Sequence, residues 1–308
     1  MGAGHSHGPG SAGDRPTGHA GARFREALGA AFALTAAFFL VELVAGLVSG
    51  SLALLSDAGH MAADVVALGA ALLATVIAAR PDTTGRRTFG HYRIEIFASG
   101  LAVLIMLGMG VYVLAEAIRR AGSPAPVATG TMLLVGALGL VVNVISLVLL
   151  RGGRHGSLAV RGAYLEGVAD AAGSVGVIAA ALLMRATGST VWDLAVAVAI
   201  AVFIVVRAVM LGRQVVSVLA QHAPAGVDPA AVETGLAAVR GVEEVHDLHL
   251  WTLTSGMDVG TVHLVVHADA GHAEVLDEAR VLLEGHGIEH VTVQIETSGA
   301  VGCRELGW

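Results

Sequence analysis

"LLSDAGHMAADVVALGA", residues 54–70, sets Asp57, His60 and Asp64 inside a run otherwise suited to hydrocarbon. An ionisable side chain at the bilayer centre costs roughly 2.5–3.5 kcal/mol even on lenient insertion scales, so something must offset it. Spaced three and four residues apart, the three share one face of a helix. A lone buried aspartate also serves as a hydrogen-bond partner between helices, and Asp57 by itself fits that plainer role.

The rest of the chain supports a membrane setting. Hydrophobic residues make up 55% of the 308 and charged residues only 14%, where a soluble domain carries about a quarter charged. Mean hydropathy is +0.74. Residues 96–115 and 121–150 contain no charge at all, and 28–48 is broken only by Glu42. A span needs about 20 apolar residues, and the runs predict six helices, near 28–49, 52–79, 94–119, 127–150, 161–184 and 191–212.

All 18 basic residues are arginines, and they orient the bundle. With the N-terminus inside, cytoplasmic segments hold Arg15, Arg23, Arg25, Arg80, Arg86, Arg87, Arg93, Arg151, Arg154, Arg161 and Arg213, against Arg119, Arg120 and Arg185 opposite. The positive-inside rule then puts both termini in the cytoplasm. Residues 1–22, with "GHSHGPG", read as a disordered Gly/His-rich cytoplasmic tail rather than a signal peptide. The single cysteine, Cys303, excludes an intrachain disulfide framework.

At residue 222 the chain changes character. Residues 23–221 form the expected transport-sized membrane domain and 222–308 a soluble one. Residues 1–221 hold 15 Arg against 11 Asp/Glu, and 222–308 hold 3 against 14, a net charge of −11, with 8 of the 14 histidines. An acidic, His-rich domain suits cations, although charge alone fits a merely soluble domain as well. "DPAAVETGLAAVRG" predicts a helix with an Asp cap and proline at its first position. "VEEVHDLHLWTLTSGMDVGTVHLVVHA" predicts a hairpin turning at Ser255-Gly256, "HAEVLDEARVLLEGHG" a helix, and "IEHVTVQIE" a strand. That α-β-β-α-β order is an α+β domain with helices on one sheet face.

An internal repeat bears on the opening stretch. "GSLALLSDAGHMAAD" (50–64) aligns without gaps to "GSLAVRGAYLEGVAD" (156–170), which pairs Asp64 with Asp170 and His60 with Glu166. The offset of 106 residues covers three helices, so the copies run in opposite directions, as in inverted-repeat transporters whose site lies near the midplane. Asp64, about twelve residues into its helix, sits roughly 18 Å along it. His60, Asp64, Glu166 and Asp170 therefore can close around one first-row divalent ion, zinc above all. A purely structural polar network between helices is the alternative.

With "SLALLSDAGHMAAD", "RTFGHYRIEI", "YLEGVADAAGSVGVI", "VHDLHLWTLTSG" and "GIEHVTVQIE" in that order, the chain resembles the cation diffusion facilitators, a family of divalent-metal/proton antiporters. The resemblance covers about residues 27–296. It implies a homodimer in the lipid bilayer, and residence in the inner or plasma membrane is part of that expectation. It further implies six membrane helices in inverted three-helix repeats, a metallochaperone-like cytoplasmic domain, and export of metal from the cytosol in exchange for protons. His60, Asp64, Glu166 and Asp170 take the transport-site positions. Glu166 departs from the usual histidine, which leaves the metal open among Zn, Mn, Fe, Co and Cd. His246, His263, His272 and Glu296 match positions that bind metal between subunits in some members, with Gln294 where others place a histidine. Asp82 and His91 match a loop site of some members. No cofactor is implied; the metal is substrate and possible regulator.

Coupling follows from ligand chemistry. Metal binding requires neutral imidazole and ionised carboxylate, so metal and protons compete, and histidine titrates near neutral pH, about 6.5 unperturbed. Two other readings stay open: a membrane-anchored metal sensor without transport, and a carrier of another substrate that uses the carboxylates as a proton relay. No nucleotide loop, nucleophile–base pair or basic reading surface appears, so neither an enzyme nor a nucleic-acid binder is expected.

Overall fold

The computed structural model describes residues 25–77, 89–121, 126–150, 158–254 and 256–297. The expected tail over 1–22 lies outside them. Six long helices come first: α1 (Arg25–Ser49), α2 (Leu52–Ile77), α3 (Ile94–Ala121), α4 (Thr129–Leu150), α5 (Leu158–Thr187) and α6 (Val191–Leu219). Five of them contain windows long and apolar enough to span a bilayer, and α2, whose described face bears Asp57, His60 and Asp64, packs among them. The chain is an integral membrane protein. α6 runs on to Leu219, past the 212 expected from hydropathy. Apolar sequence stops where the bilayer stops; helical hydrogen bonding does not.

The helices associate as the repeat requires. α1 lies along α2 and α4 along α5, the equivalent pair, while α3 and α6 pack together. The Asp57 Oδ1 stands 3.3 Å from where a Cβ would project from Gly173, and His60 meets Asp170. Moving forward along α2 therefore means moving back along α5: the two cross antiparallel.

Burial divides the bundle in two. At the end holding the C-terminus of α1, all six helices contribute to one core, including Ala45, Leu54, Val113, Met132, Val177 and Ala201. Farther along, Ala63 of α2 packs with Met106 of α3 and Ile204 of α6 in a separate cluster. Small residues let the backbones approach. A Cβ on Gly59 would fall 2.9 Å from the Met109 side chain. Outward, Phe97, Leu104, Val111 and Ile118 of α3 are exposed at seven-residue spacing. In water that stripe would be a liability; lipid covers it.

One carboxylate sets the depth of α2. Asp193, in the first turn of α6 and 3% exposed, accepts from Ser51 Oγ (2.6 Å) and from the backbone N–H of Leu52 (2.8 Å) and Ala53 (3.2 Å). These are first-turn donors that no intrahelical carbonyl reaches. The negative charge also lies at the positive end of the helix dipole.

Beyond α6 the chain turns sharply at Gln221, whose φ is 56°. There follow α7 (Pro229–Ala237), β1 (Val242–Thr254), β2 (Met257–Val266), α8 (His272–Gly285) and β3 (His290–Thr297). Asp228 caps α7 by accepting from Ala230 N–H at 3.1 Å, ahead of the expected proline. Gly256, at φ 73°, supplies the left-handed turn conformation of the β1–β2 hairpin. The sheet order is β1-β2-β3, the first pair antiparallel and the second parallel through α8. Val262, Leu264 and Val266 turn one sheet face into a core with Leu236 of α7 and Leu283 of α8. At the hairpin tip the Thr254 hydroxyl reaches the Tyr92 carbonyl (3.2 Å) and the Glu95 carboxylate (3.0 Å) at the start of α3.

The Asp193 clamp yields a direct test. Asp193→Ala leaves buried donors without acceptors, each costing about 1–3 kcal/mol. Thermal unfolding of the purified protein in detergent should shift down by several degrees, and Asp193→Asn, which keeps one acceptor oxygen, should lose less. Equal melting of all three proteins would rule out the clamp.

Candidate functional site: two clusters of metal-ligating side chains

α2 and α5 bring three of the four expected intramembrane residues together. His60 Nε2 lies 3.2 Å from Asp170 Oδ1 and 3.9 Å from Asp64 Oδ2. One ligand atom of each of the three falls within 4.8 Å of the others. His60 is 4% exposed at its side chain, while Asp64 and Asp170 keep 21% and 23%. The ring is buried and the carboxylates remain reachable. Glu166 occupies α5 one turn before Asp170, and its side chain is outside the described residues. The i, i+4 spacing in α2 stacks His60 above Asp64, and the antiparallel crossing supplies Asp170 from the opposite side.

α6 completes the surroundings with two residues that the sequence reading passed over. Arg207 Nη1 lies 3.1 Å from His60 Nε2. The guanidinium also lies over the Phe203 ring, 5.8 Å from its centroid, and Phe203 meets the His60 ring edge-on at 6.4 Å. A guanidinium is always protonated and only donates. Nε2 must then be the acceptor, which makes His60 a neutral imidazole with its proton on Nδ1. With Nε2 accepting from Arg207, it has no proton to give Asp170, and Asp170 Oδ1 is buried with no hydrogen-bond donor. An unshared carboxylate oxygen beside an acceptor nitrogen is what a cation-binding cluster presents.

Behind this cluster lie Glu42 of α1 (1% exposed) and Asp57 (6% exposed). Glu42 was legible in the sequence as the one break in an apolar run, and Asp57 as the first acid of the opening stretch.

The cytoplasmic domain holds the second cluster. Cross-strand register pairs His246 of β1 with His263 of β2, and His263 with Gln294 of β3. Alternation puts Glu296 on the same face as Gln294, opposite the helices. His263 Nδ1 is 3.1 Å and His246 Nε2 3.6 Å from the Glu296 carboxylate, and the two rings meet at 5.3 Å. His246, His263 and Glu296 offer ligand atoms within 4.8 Å of one another. Gln294 donates to Glu296 Oε1 at 2.8 Å, which orients that carboxylate. His272, the first residue of α8, is exposed and not in this group. In the loop before α3, the His91 carbonyl accepts from Ile94 N–H (3.0 Å), and Asp82 lies outside the described residues.

Two family models match most of the chain. A model of the cation efflux transmembrane domain matches residues 28–220, and one of the cation efflux protein cytoplasmic domain matches residues 224–298. The metal cation efflux system protein CzcD of Cupriavidus metallidurans is 43% identical over 298 residues, 96% of this chain and 90% of the relative. A cadmium, cobalt and zinc/H(+)-K(+) antiporter of Bacillus velezensis is 33% identical over 285 residues, 91% of each chain. The zinc transporter ZitB of Escherichia coli is 37% identical over 269 residues, 86% of this chain and 85% of the relative.

The sheet cluster is open to a measurement of its own. Residues 222–308, expressed as a fragment, should melt higher as Zn²⁺ is added, by about 2.7 kcal/mol of stability at a hundredfold excess over Kd. His263→Ala should remove the shift. A melting temperature independent of zinc would leave the cluster without a metal.

Proposed function

This chain belongs to the cation efflux family, the cation diffusion facilitators, and we propose that it exports divalent metal ions from the cytosol in exchange for protons. The observation that carries the reading is the meeting of His60, Asp64 and Asp170 at one point where α2 and α5 cross. Imidazole and carboxylate at such spacing suit a first-row divalent ion. In a low-dielectric bundle that ion supplies the charge the carboxylates lack. The printed names of the relatives, zinc transporter and cadmium, cobalt and zinc/H(+)-K(+) antiporter, support zinc as the leading substrate and protons as the counter-ion.

The cycle proceeds by alternating access. Metal arriving from the cytosol displaces protons from the ligands, the bundle rocks about the crossing of the two repeats, and protons on the far side compete the metal off. Glu166, one turn before Asp170 on α5, is the fourth ligand in this reading, as the repeat with His60 suggests. Both termini lie in the cytoplasm, as the arginine distribution requires. The protein works as a homodimer whose sheet faces carry the His246, His263 and Glu296 cluster, with His272 contributed across the dimer. Metal bound there draws the cytoplasmic domains together and biases the bundle toward one orientation.

Proteoliposomes decide the transport reading. Zinc uptake driven by an opposing pH gradient should fall at least a hundredfold in Asp64→Ala and in Asp170→Ala, each shown to be inserted and dimeric. Parental flux in either variant would remove that residue from the path. Competition among Zn, Mn and Fe reads the fourth ligand. Carboxylate favours the harder ions relative to imidazole, so Glu166→His should raise discrimination for zinc about tenfold, and unchanged selectivity would take Glu166 out of the coordination sphere.

A further inference from the structure

Arg207 is the feature of the intramembrane site for which metal binding gives no reason. A permanent cation 3.1 Å from the ligand atom of His60 repels any divalent ion and occupies the lone pair that ion needs. Placed in an apolar run of α6, "AVFIVVRAVML", it also carries its own cost of burial. Its position is nonetheless built. Phe203, one turn earlier on α6, lies under the guanidinium and against the His60 ring at once. Through His60, Arg207 is no farther from Asp170 Oδ1 than the sum of two hydrogen-bond-length steps.

Charge accounting supplies the reason. With Glu166 as the fourth ligand of the proposed site, Asp64, Asp170 and Glu166 around a neutral His60 amount to three negative charges. A divalent ion neutralises two and leaves one uncompensated inside the membrane, where it is costly. We propose that Arg207 is the counter-charge for that third carboxylate: a tethered cation that neutralises the metal-loaded site and, when metal is absent, holds His60 Nε2 by a hydrogen bond. The inference rests on the reading of His60, Asp64, Glu166 and Asp170 as the transport site. Its consequence is specific. Arg207 weakens metal binding and speeds release, because an entering ion must push the guanidinium off Nε2 and an ion in place remains repelled by it. Since Arg207 belongs to α6, the displacement also moves force from the α2–α5 crossing to a third helix.

The test uses the full-length protein with His263→Ala in every version, so that binding to the cytoplasmic sheet does not obscure the membrane site. Zinc affinity is measured by titration calorimetry and transport in proteoliposomes. Arg207→Gln should bind zinc at least tenfold tighter, and its KM and maximal rate should fall together, since release becomes slow. Misfolding lowers the rate without tightening binding, so the pair of readouts separates the two. Arg207→Lys, which keeps the charge, should stay within about threefold of the parent. Glu166→His should weaken binding, and the double variant Glu166→His/Arg207→Gln, in which one charge of each sign is gone, should return toward parental affinity. Affinity unchanged or weakened in Arg207→Gln overturns the proposal. Asp170→Asn distinguishes the layers: if it loses zinc while Arg207→Gln matches the parent, only the counter-charge fails; if it binds as the parent does, the site itself is misread.

Discussion

The depth at which α2 stands in the bundle depends on Asp193. Its carboxylate, buried at the start of α6, takes Ser51 Oγ and the first free N–H groups of α2. Polar donors buried in an apolar medium accept few substitutes, so the register of α2 against α6 is well determined. That register decides which residues of α6 meet His60. It brings Phe203 and Arg207 there. The crossing with α5 then places Asp170, and a single capping interaction at one end of the bundle governs the composition of a site several turns away.

The membrane site and the sheet site solve the same problem with different scaffolds. In the bundle, residues four apart on one helix meet a residue on an antiparallel neighbour. In the soluble domain, cross-strand pairing sets two histidines side by side and the parallel strand adds a carboxylate. The first arrangement is bordered by a cation and an aromatic ring, the second by Gln294, a neutral hydrogen-bond donor to its carboxylate. A divalent ion taken up in the bundle would therefore lie beside a guanidinium, and one taken up at the sheet beside an amide.

How much was legible depends on whether the signal was local. The antiparallel pairing of α2 and α5 could be read because the repeat aligns Asp64 with Asp170 at an offset of three helices, an odd number. The order of the soluble domain followed from its caps, from Gly256 and from strand alternation. The role of Asp193 was not legible, since an acid in the first turn of a helix ordinarily serves its own helix, and its partners lie 140 to 142 residues away. Arg207 was open to the argument that singled out Asp64. It was passed over because its partner, His60, lies 147 residues away, and nothing local to α6 marks that contact. His272 stands apart from the other sheet residues because it opens α8, where it is exposed, and does not lie on the strand face that His246, His263 and Glu296 share.

Among the described residues, the cytoplasmic domain meets the bundle through the turn at Gln221, through the Thr254 hydroxyl on Tyr92 and Glu95, through the Phe89 ring against His290, and where β1 approaches α6. These contacts fall on α6 and on the residues that open α3, and α3 and α6 pack against each other. A displacement of that domain is therefore felt first by the α3–α6 pair, whose α6 member carries Phe203 and Arg207 beside His60, whereas none of these contacts falls on α4 or α5.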